Sequence, residues 1–549
     1  MRISTGGRER ELALGTYTVA GKVLDWRTSP LAEVYFRCAP GDEYEIDVDG
    51  RTVTGTLLAK SRVHTTEGMP VDIAGATSGG RAAIVLDQDQ QRAVDLPPDM
   101  SLVVDGEAGV GKTLVAMYRL AHLRPKRALV LVPTEGLRRL CRQLAERVGF
   151  ETVEIAILDE WLFARATAAF ARLPARLGAD ASAATIRLKR HPAVRAVLGE
   201  ILARPKARDD DERRLPRARA DLLHLWGDRD RLARVIDASG GALDAHAIRD
   251  TLAHTHVQFT STTEEAHRHV DQERLVTVDG RAIDEGTPLG DAGTIDAEDV
   301  PVLFELARLR RAKLELPRYD HIIVDEAQLI APMELAAIGD ALRAGGSVTI
   351  AGDPRQETDD SAWFGGWATA MRELRVERYE HVTLAQSYRS VPAIADFARA
   401  LSAGPAAPVI GPHLAATAAR SDFDQIADLC DTIDRLQQQD RALQIAIVAH
   451  SPEHAERLHR DLRGADATLV LDGAFTFAPG VVVTTAPQVQ GLEFDAVIVP
   501  DLSAERYRPI ATQRRALYVT CTRARTWLWL TTTHDWSPLI GDRASAARS

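Results

Sequence analysis

Residues 103–120 read VVDGEAGVGKTLVAMYRL. Two valines, a glycine-bounded loop ending in Lys-Thr, and a run with apolar residues at helical spacing predict strand, turn and helix in that order. Gly106 to Thr113 fit GxxxxGK[ST], here following a strand and opening a helix, the context that gives the pattern chemical meaning. The loop amides of Glu107, Ala108, Gly109, Val110 and Gly111, with the positive end of the helix, suit a polyphosphate. Lys112 is the expected cation for the β and γ groups and Thr113 the expected ligand of Mg2+.

Such a cradle needs an acidic partner at the end of a second strand. HIIVDEAQ, residues 321–328, supplies one. Asp325 is expected to hold Mg2+ through its water shell, and Glu326 to act as general base on the attacking water. An apolar run ending in Asp-Glu is equally a capped strand when it stands alone; the loop at 106–113 gives this one its meaning.

Around these two segments the chain alternates strand and helix. From Leu86 to Gly149 the order is strand, turn, helix, strand (ALVLVP) and helix (EGLRRLCRQLAERVG), the rhythm of parallel α/β structure. It resumes at YDHIIVDEA, GSVTIAGD and HVTLAQ. A Pro/Gly/Ala segment (SAGPAAPVIGP) precedes a second run with strands at LQIAIVAH, GVVVTTA, DAVIVPD and TWLWLTTT. Residues 151 to about 300 are mostly helical, with charged or Gly/Asp-rich loops at KARDDDERRLPRARA and VDGRAIDEGTPLGDAG. Between Tyr17 and Ile84 short alternating bursts separated by GD and DG predict a small antiparallel β unit in which Trp26 packs.

Composition narrows the class. At 549 residues the chain exceeds a single core and should hold about three or four domains. Its 45% apolar and 26% charged content is that of a soluble globular protein; no membrane-length apolar run or secretory signal is seen, and a cytoplasmic location is expected. Cys38, Cys141, Cys430 and Cys521 form no CxxC pair and are read as reduced core thiols. The net charge of −11 argues against a protein basic throughout, but a local basic groove for nucleic acid remains compatible with it.

The motifs occur in a telling order. LDQDQQRAV, the 106–113 loop, DEAQ, AGDPRQ, QSYRS, QGLEFDAVIV and LYVTCTRAR follow one another over most of residues 86–530. This series resembles the UvrD/Rep-like superfamily 1 helicases. The resemblance implies an α/β chain with two RecA-like P-loop NTPase domains, a helical 1B-type insert, a small N-terminal β unit, and ATP with Mg2+ between the RecA-like domains. Expected boundaries are 1–85 for the β unit, 86–150 with 318–380 for domain 1A, 151–317 for the insert, 381–540 for domain 2A, and 541–549 for a tail. By resemblance Gln90 reads adenine, Gln356 senses the γ-phosphate, Tyr388 stacks on adenine, Glu493 contacts the ribose, and Arg389 and Arg523 compensate the charge of the transferring phosphoryl group. The implied partner is single-stranded DNA or RNA, and the implied activity is ATP-driven translocation.

Within that family three segments resemble the HelD-type ATPases that act on RNA polymerase: VLDWRTSPLAEVYFRC and its continuation, GKTLVAMYRLAHL leading into ALVLVPTEGL, and IDAEDVPVLFELARLR. RNA polymerase is accordingly a second expected partner, and remodelling of a protein–nucleic acid complex the alternative function. Only about twenty residues precede the DWR segment, so the HelD coiled-coil arm is expected to be absent. Gln490 stands where lysine is usual in the family, removing one phosphate contact. For substrate contact the candidates are Pro133, Thr134, Trp363, Trp367 and Arg217. The tryptophans are open to two readings, stacking on bases or packing between domains. The arginine clusters of the insert are read either as a substrate surface or as a solvated face.

Overall fold

The computed structural model describes residues 86–543 except 151–152, 179, 204–216, 261–266, 268, 272–273, 279, 282–291, 385–389, 405 and 410–412; before Leu86 it describes strands only. Trp26 and Cys38 lie outside the described residues, as do Tyr388 and Arg389.

In the N-terminal unit β1 (Arg2–Thr5), β2 (Arg8–Glu11), β3 (Glu43–Val48) and β4 (Arg51–Ala59) form an antiparallel sheet in the order β2-β1-β4-β3. The first of these strands begins at Arg2, ahead of the alternating bursts that start near Tyr17. RIST and RERE carry too few apolar residues to be read as strands; β1 becomes one by pairing with β4, and β2 by pairing with β1.

Two parallel α/β domains follow. The first is built from α1 (Gln88–Val94), β5 (Ser101–Gly106), α2 (Lys112–Leu123), β6 (Ala128–Val132), α3 (Glu135–Val148) and β7 (Glu154–Ile157). After the insert it is completed by β8 (Tyr319–Val324), α4 (Pro332–Gly339), β9 (Leu342–Gly352), α5 (Trp367–Glu373) and β10 (Tyr379–Leu384). Its sheet order is β7-β6-β8-β9-β5-β10, parallel throughout. β10 straddles the boundary expected at 380/381 and belongs to this first sheet.

Helices cover both faces of this sheet, so its inner strands are apolar without alternation; every residue of ALVLV in β6 is buried. Helix α3 shows how sequence sets an element. Thr134 caps its start, accepting from the Leu137 N–H, Gly149 ends it in the left-handed region, and Leu137, Cys141, Leu144 and Ala145 form its buried stripe. Each such leucine contributes about 1.5–3 kcal/mol of burial.

The second domain holds β11 (Leu414–Ala418), α6 (Asp422–Gln439), β12 (Gln444–Ala449), α7 (Pro452–Asp461), β13 (Ala467–Leu469), β14 (Gly480–Thr485), β15 (Phe494–Val499), α8 (Ala511–Cys521) and β16 (Ala524–Thr532). Its sheet is parallel in the order β11-β16-β15-β12-β14-β13. Leu137 and Val130 of the first domain and Leu492, Val497 and Leu517 of the second share one apolar core, so the domains meet over a dry contact beside the motif loops.

The insert is helical, as expected, and its apolar core is continuous with one face of the first sheet: Trp161, Leu198, Trp226 and Phe304 pack with Ile322, Val324 and Met371. Its buried cation Lys189 lies between Asp296 at 2.6 Å and Asp299 at 2.8 Å. Cys141 and Cys521 are buried and Cys430 half-buried, all with free thiols, in keeping with core cysteines. Among the described residues no helix is long and apolar enough to cross a membrane.

Candidate nucleotide site

The loop between β5 and α2 closes around Lys112. Gly111 sits in the left-handed region at φ 87°, and a Cβ there would stand 2.9 Å from Nε2 of Gln90, so only glycine fits. Lys112 is buried, and its Nζ donates to the carbonyls of Gly106 and Glu107, both at 2.9 Å. Burial lowers its pKa, opposed by the charges of Glu326, Asp353 and Asp325.

Gln90 holds this loop from below. Asp87 and Gln90 form a capping box at the start of α1, and the Gln90 Nε2 donates to the Val110 carbonyl at 2.9 Å. Both ends of its amide are thus engaged within the protein. The side chain thereby braces the loop. A second fastening comes from Arg119. Buried in α2, it donates to the carbonyls of Ala93, Val94, Leu96, Pro97 and Met100 and so ties the α1–β5 connection to the loop's helix.

At the end of β8, two strands away from β5, the acidic pair faces the loop. Thr113 Oγ1 donates to Asp325 Oδ2 at 2.6 Å, so the two expected Mg2+ ligands are brought together. Burial and the neighbouring Glu326 raise the Asp325 pKa to about 6. Glu326 adopts a left-handed backbone, φ 52°, a conformation that costs a non-glycine residue of order 1 kcal/mol or more. Its carboxylate accepts from Gln328 Nε2 at 2.5 Å, and the other end of that amide accepts from the Asp353 N–H at 3.2 Å. A Cβ on Gly352 would collide with the Gln328 amide, which explains the glycine there.

The second domain reaches in from the opposite side. Arg523 Nη2 donates to Gln356 Oε1 at 2.8 Å, while its Nε and Nη1 are held by the carbonyls of Val519 and Leu492. Asp353 receives Gln356 Nε2 at 3.0 Å, the Tyr518 hydroxyl at 3.4 Å and Arg355 Nε at 3.1 Å. Lys112, Thr113, Glu326, Gln356, Gly491 and Arg523 thereby enclose one small space. Glu493 is not among the residues that enclose it, and instead faces Arg525 at 3.9 Å. Gln328 of the DEAQ motif and Asp353 of AGDPRQ, neither assigned a role by sequence, join the two halves of the site. Only the three-dimensional meeting of β8 and β9 reveals that link.

The donor set fits a Mg2+–nucleotide. A phosphate cradle whose glycine admits no Cβ, a buried ammonium, and a hydroxyl–carboxylate pair of oxygen donors are what a hard cation bound to a polyphosphate requires.

The substrate candidates have different surroundings. Trp367 is buried in the first domain's core, with the edge of its ring against Phe364. Trp363 donates from Nε1 to the Arg187 carbonyl at 3.0 Å, and the Arg187 guanidinium lies over its ring. Both tryptophans pack where the insert meets the first domain. Arg217 is exposed at the start of an insert helix, Arg217–Trp226. Thr134 serves as the cap of α3.

Pro133 lines a groove between the two domains and the insert that also receives Asp159, Glu298, Glu334, Asp359, Arg190 and Gln490. Arg190, the one cation among its described lining residues, is spent on Glu334 at 2.9 Å and Asp359 at 2.5 Å.

Residues 480–531, which span β14, β15, α8 and most of β16, match the family model of the UvrD-like helicase C-terminal domain. Among solved structures, the C-terminal domain of a possible DNA helicase from Lactobacillus plantarum WCFS1 is 28% identical; the match covers 29% of this chain and 96% of that one, with a TM-score of 0.25. A structure of Saccharomyces cerevisiae Dbp5 bound to Nup159, Gle1, IP6 and ADP is 12% identical over 82% of this chain and 85% of that one, with a TM-score of 0.33. No curated protein matches the chain.

Proposed function

We propose that the chain is an ATP-hydrolysing motor of the superfamily 1 helicase type, in which closure of the two α/β domains completes the catalytic site. The observation that carries this reading is the Arg523–Gln356 contact beside Lys112 and Glu326: a cation of one domain is delivered to the phosphate loop of the other. Lys112 and Arg523 are placed to offset charge on the γ-phosphoryl oxygens, and Glu326, oriented by Gln328, to take the proton of the attacking water. Thr113 and Asp325 would hold Mg2+, which supplies further charge compensation when bound. Because Arg523 and Gln356 belong to different domains, hydrolysis is tied to their separation and approach, and that motion is available to move a strand or a partner.

Two outputs of such a motor are distinguishable, translocation on single-stranded nucleic acid and remodelling of a protein–nucleic acid complex such as one containing RNA polymerase. The acid-lined groove favours the second, since Asp159, Glu298, Glu334 and Asp359 outnumber the single, already paired Arg190, and such a wall repels phosphates. The test is ATP turnover measured alone, with single-stranded DNA or RNA, and with RNA polymerase. Stimulation by naked strands supports translocation, and stimulation by polymerase alone supports remodelling. Absence of ATP turnover under all three conditions overturns the motor.

A further inference from the structure

The C-terminal edge of the second sheet gathers three metal-ligating side chains that play no part in the nucleotide site. Strands β12 and β15 are parallel neighbours, so the residues that follow them emerge side by side. His450 follows β12; Asp501 follows β15 after Pro500. Ser451 then caps α7, accepting from the His454 N–H, and that tight entry folds His454 back over His450. The two Nδ1 atoms face each other at 2.9 Å, and one ligand atom from each of His450, His454 and Asp501 lies within 4.8 Å of the other two.

We infer that His450, His454 and Asp501 form a binding site for a single Zn2+ ion, with a fourth position left to solvent.

Two observations support the site. First, a pair of imidazoles linked Nδ1 to Nδ1 shares one proton between two lone pairs, and a metal ion is the other species that satisfies both. Tetrahedral Zn2+ with bonds of about 2.0–2.1 Å spaces its nitrogen ligands at roughly 3.3 Å, so the rings need to part by only a few tenths of an ångström. Second, one carboxylate oxygen of Asp501, Oδ1, is shielded from solvent and has no hydrogen-bond partner, whereas Oδ2 lies 3.5 Å from Arg506 Nε. A buried carboxylate oxygen without a partner is costly, and a cation is what it lacks.

The surroundings define how the site is balanced. Arg506 and Arg457 place positive charge near the histidines, and the N-terminus of α7 adds its own positive potential. The anionic Asp501 is the ligand that offsets them, so charge removal there without change of shape is the most diagnostic substitution. The open coordination position, flanked by these cations, suits water or a small anion. Bound Zn2+ would pin the end of β12 to the end of β15 and stiffen the entry to α7.

The experiment uses the full chain freed of metal with a chelator and titrated with Zn2+ against a chromophoric competitor. The expected result is one Zn2+ per chain, with Co2+ in its place giving the intense visible absorption of a tetrahedral site. Asp501→Asn and His450→Ala should each weaken that binding by more than about a hundredfold while leaving the circular dichroism of the protein unchanged. His454→Ala is the less decisive variant because that side chain is buried; His450 is half-buried and its replacement leaves no closed cavity. Failure of the wild-type chain to take up Zn2+, or uptake of equal affinity in Asp501→Asn and His450→Ala, overturns the proposal. Since the readout is metal uptake and not ATP turnover, its outcome is independent of the motor function proposed above.

Discussion

Arg523 in the second domain donates from Nη2 to Oε1 of Gln356 in the first, at 2.8 Å, and both partners are anchored from behind, the arginine by the Val519 and Leu492 carbonyls and the amide by Asp353. Such a bond exists only while the domains are together. Arg523→Ala is expected to slow ATP hydrolysis by on the order of 10³-fold with little change in ADP affinity. Since Gln356 and Arg523 act through one contact, the double variant with Gln356→Ala should be impaired less than the product of the single effects. Steady-state turnover of the four proteins checks this, and strictly multiplicative losses would contradict a shared contact.

The phosphate loop and the acidic pair should separate binding from chemistry. Lys112→Ala removes the cation buried against the loop and is expected to abolish turnover with a marked loss of nucleotide affinity. Glu326→Gln retains the shape held by Gln328 and should bind ATP nearly as the wild type does while hydrolysing it at least about 10²-fold more slowly. Equilibrium binding of a labelled nucleotide beside single-turnover hydrolysis distinguishes the two. Near-normal turnover by Glu326→Gln would remove that residue from the role of base.

Gln90 offers a finer discrimination. With one end of its amide on Asp87 and the other on the Val110 carbonyl, its substitution by leucine should loosen the loop and weaken every nucleoside triphosphate by a similar factor, on the order of tenfold. A residue that reads the base would instead cost ATP far more than GTP. Dissociation constants of ATP and GTP for Gln90→Leu and the wild type decide between bracing and reading.

Local pattern carried much of this architecture. The 106–113 loop, the strand ending at Asp325 and the capped, amphipathic α3 are written in contiguous residues, and each was legible because spacing alone selects strand, turn or helix. What depended on distant partners was not. Strand β1 becomes a strand only by pairing with β4, and the charged β2 only by pairing with β1; Trp367 reads like a stacking residue until the insert and first-domain core close over it. Gln328 and Asp353 belong to recognisable motifs, yet their shared hydrogen bond needs β8 and β9 side by side. The His450–His454–Asp501 cluster, likewise, spans two strand ends some fifty residues apart in sequence, with no metal-binding spacing to announce it.

The insert makes a prediction of opposite sign to the usual acid destabilisation. Glu298 stands at the start of the helix Asp299–Leu309, next to the buried group in which Lys189 is held by Asp296 and Asp299 and His254 approaches Asp296 at 2.9 Å. Burial raises the Glu298 pKa from 4.5 to about 7, with the charge of Asp296 adding to it and that of Lys189 opposing it. A carboxyl that is harder to ionise in the folded state carries no penalty below about pH 4.5, where it is protonated in both states, and its full penalty above about pH 7, where it is ionised in both. The gap between 4.5 and about 7 corresponds to at most about 3 kcal/mol. Glu298→Gln removes the ionisation while keeping the shape, so it should raise the melting temperature at pH 8 by several degrees and at pH 5 by much less. Lys189→Met should do the reverse, destabilising the fold strongly at pH 8 by leaving Asp296 and Asp299 facing each other without their cation. Thermal unfolding of both variants at the two pH values is the check: an equal gain for Glu298→Gln at pH 5 and pH 8 would mean that its charge is not what strains the insert.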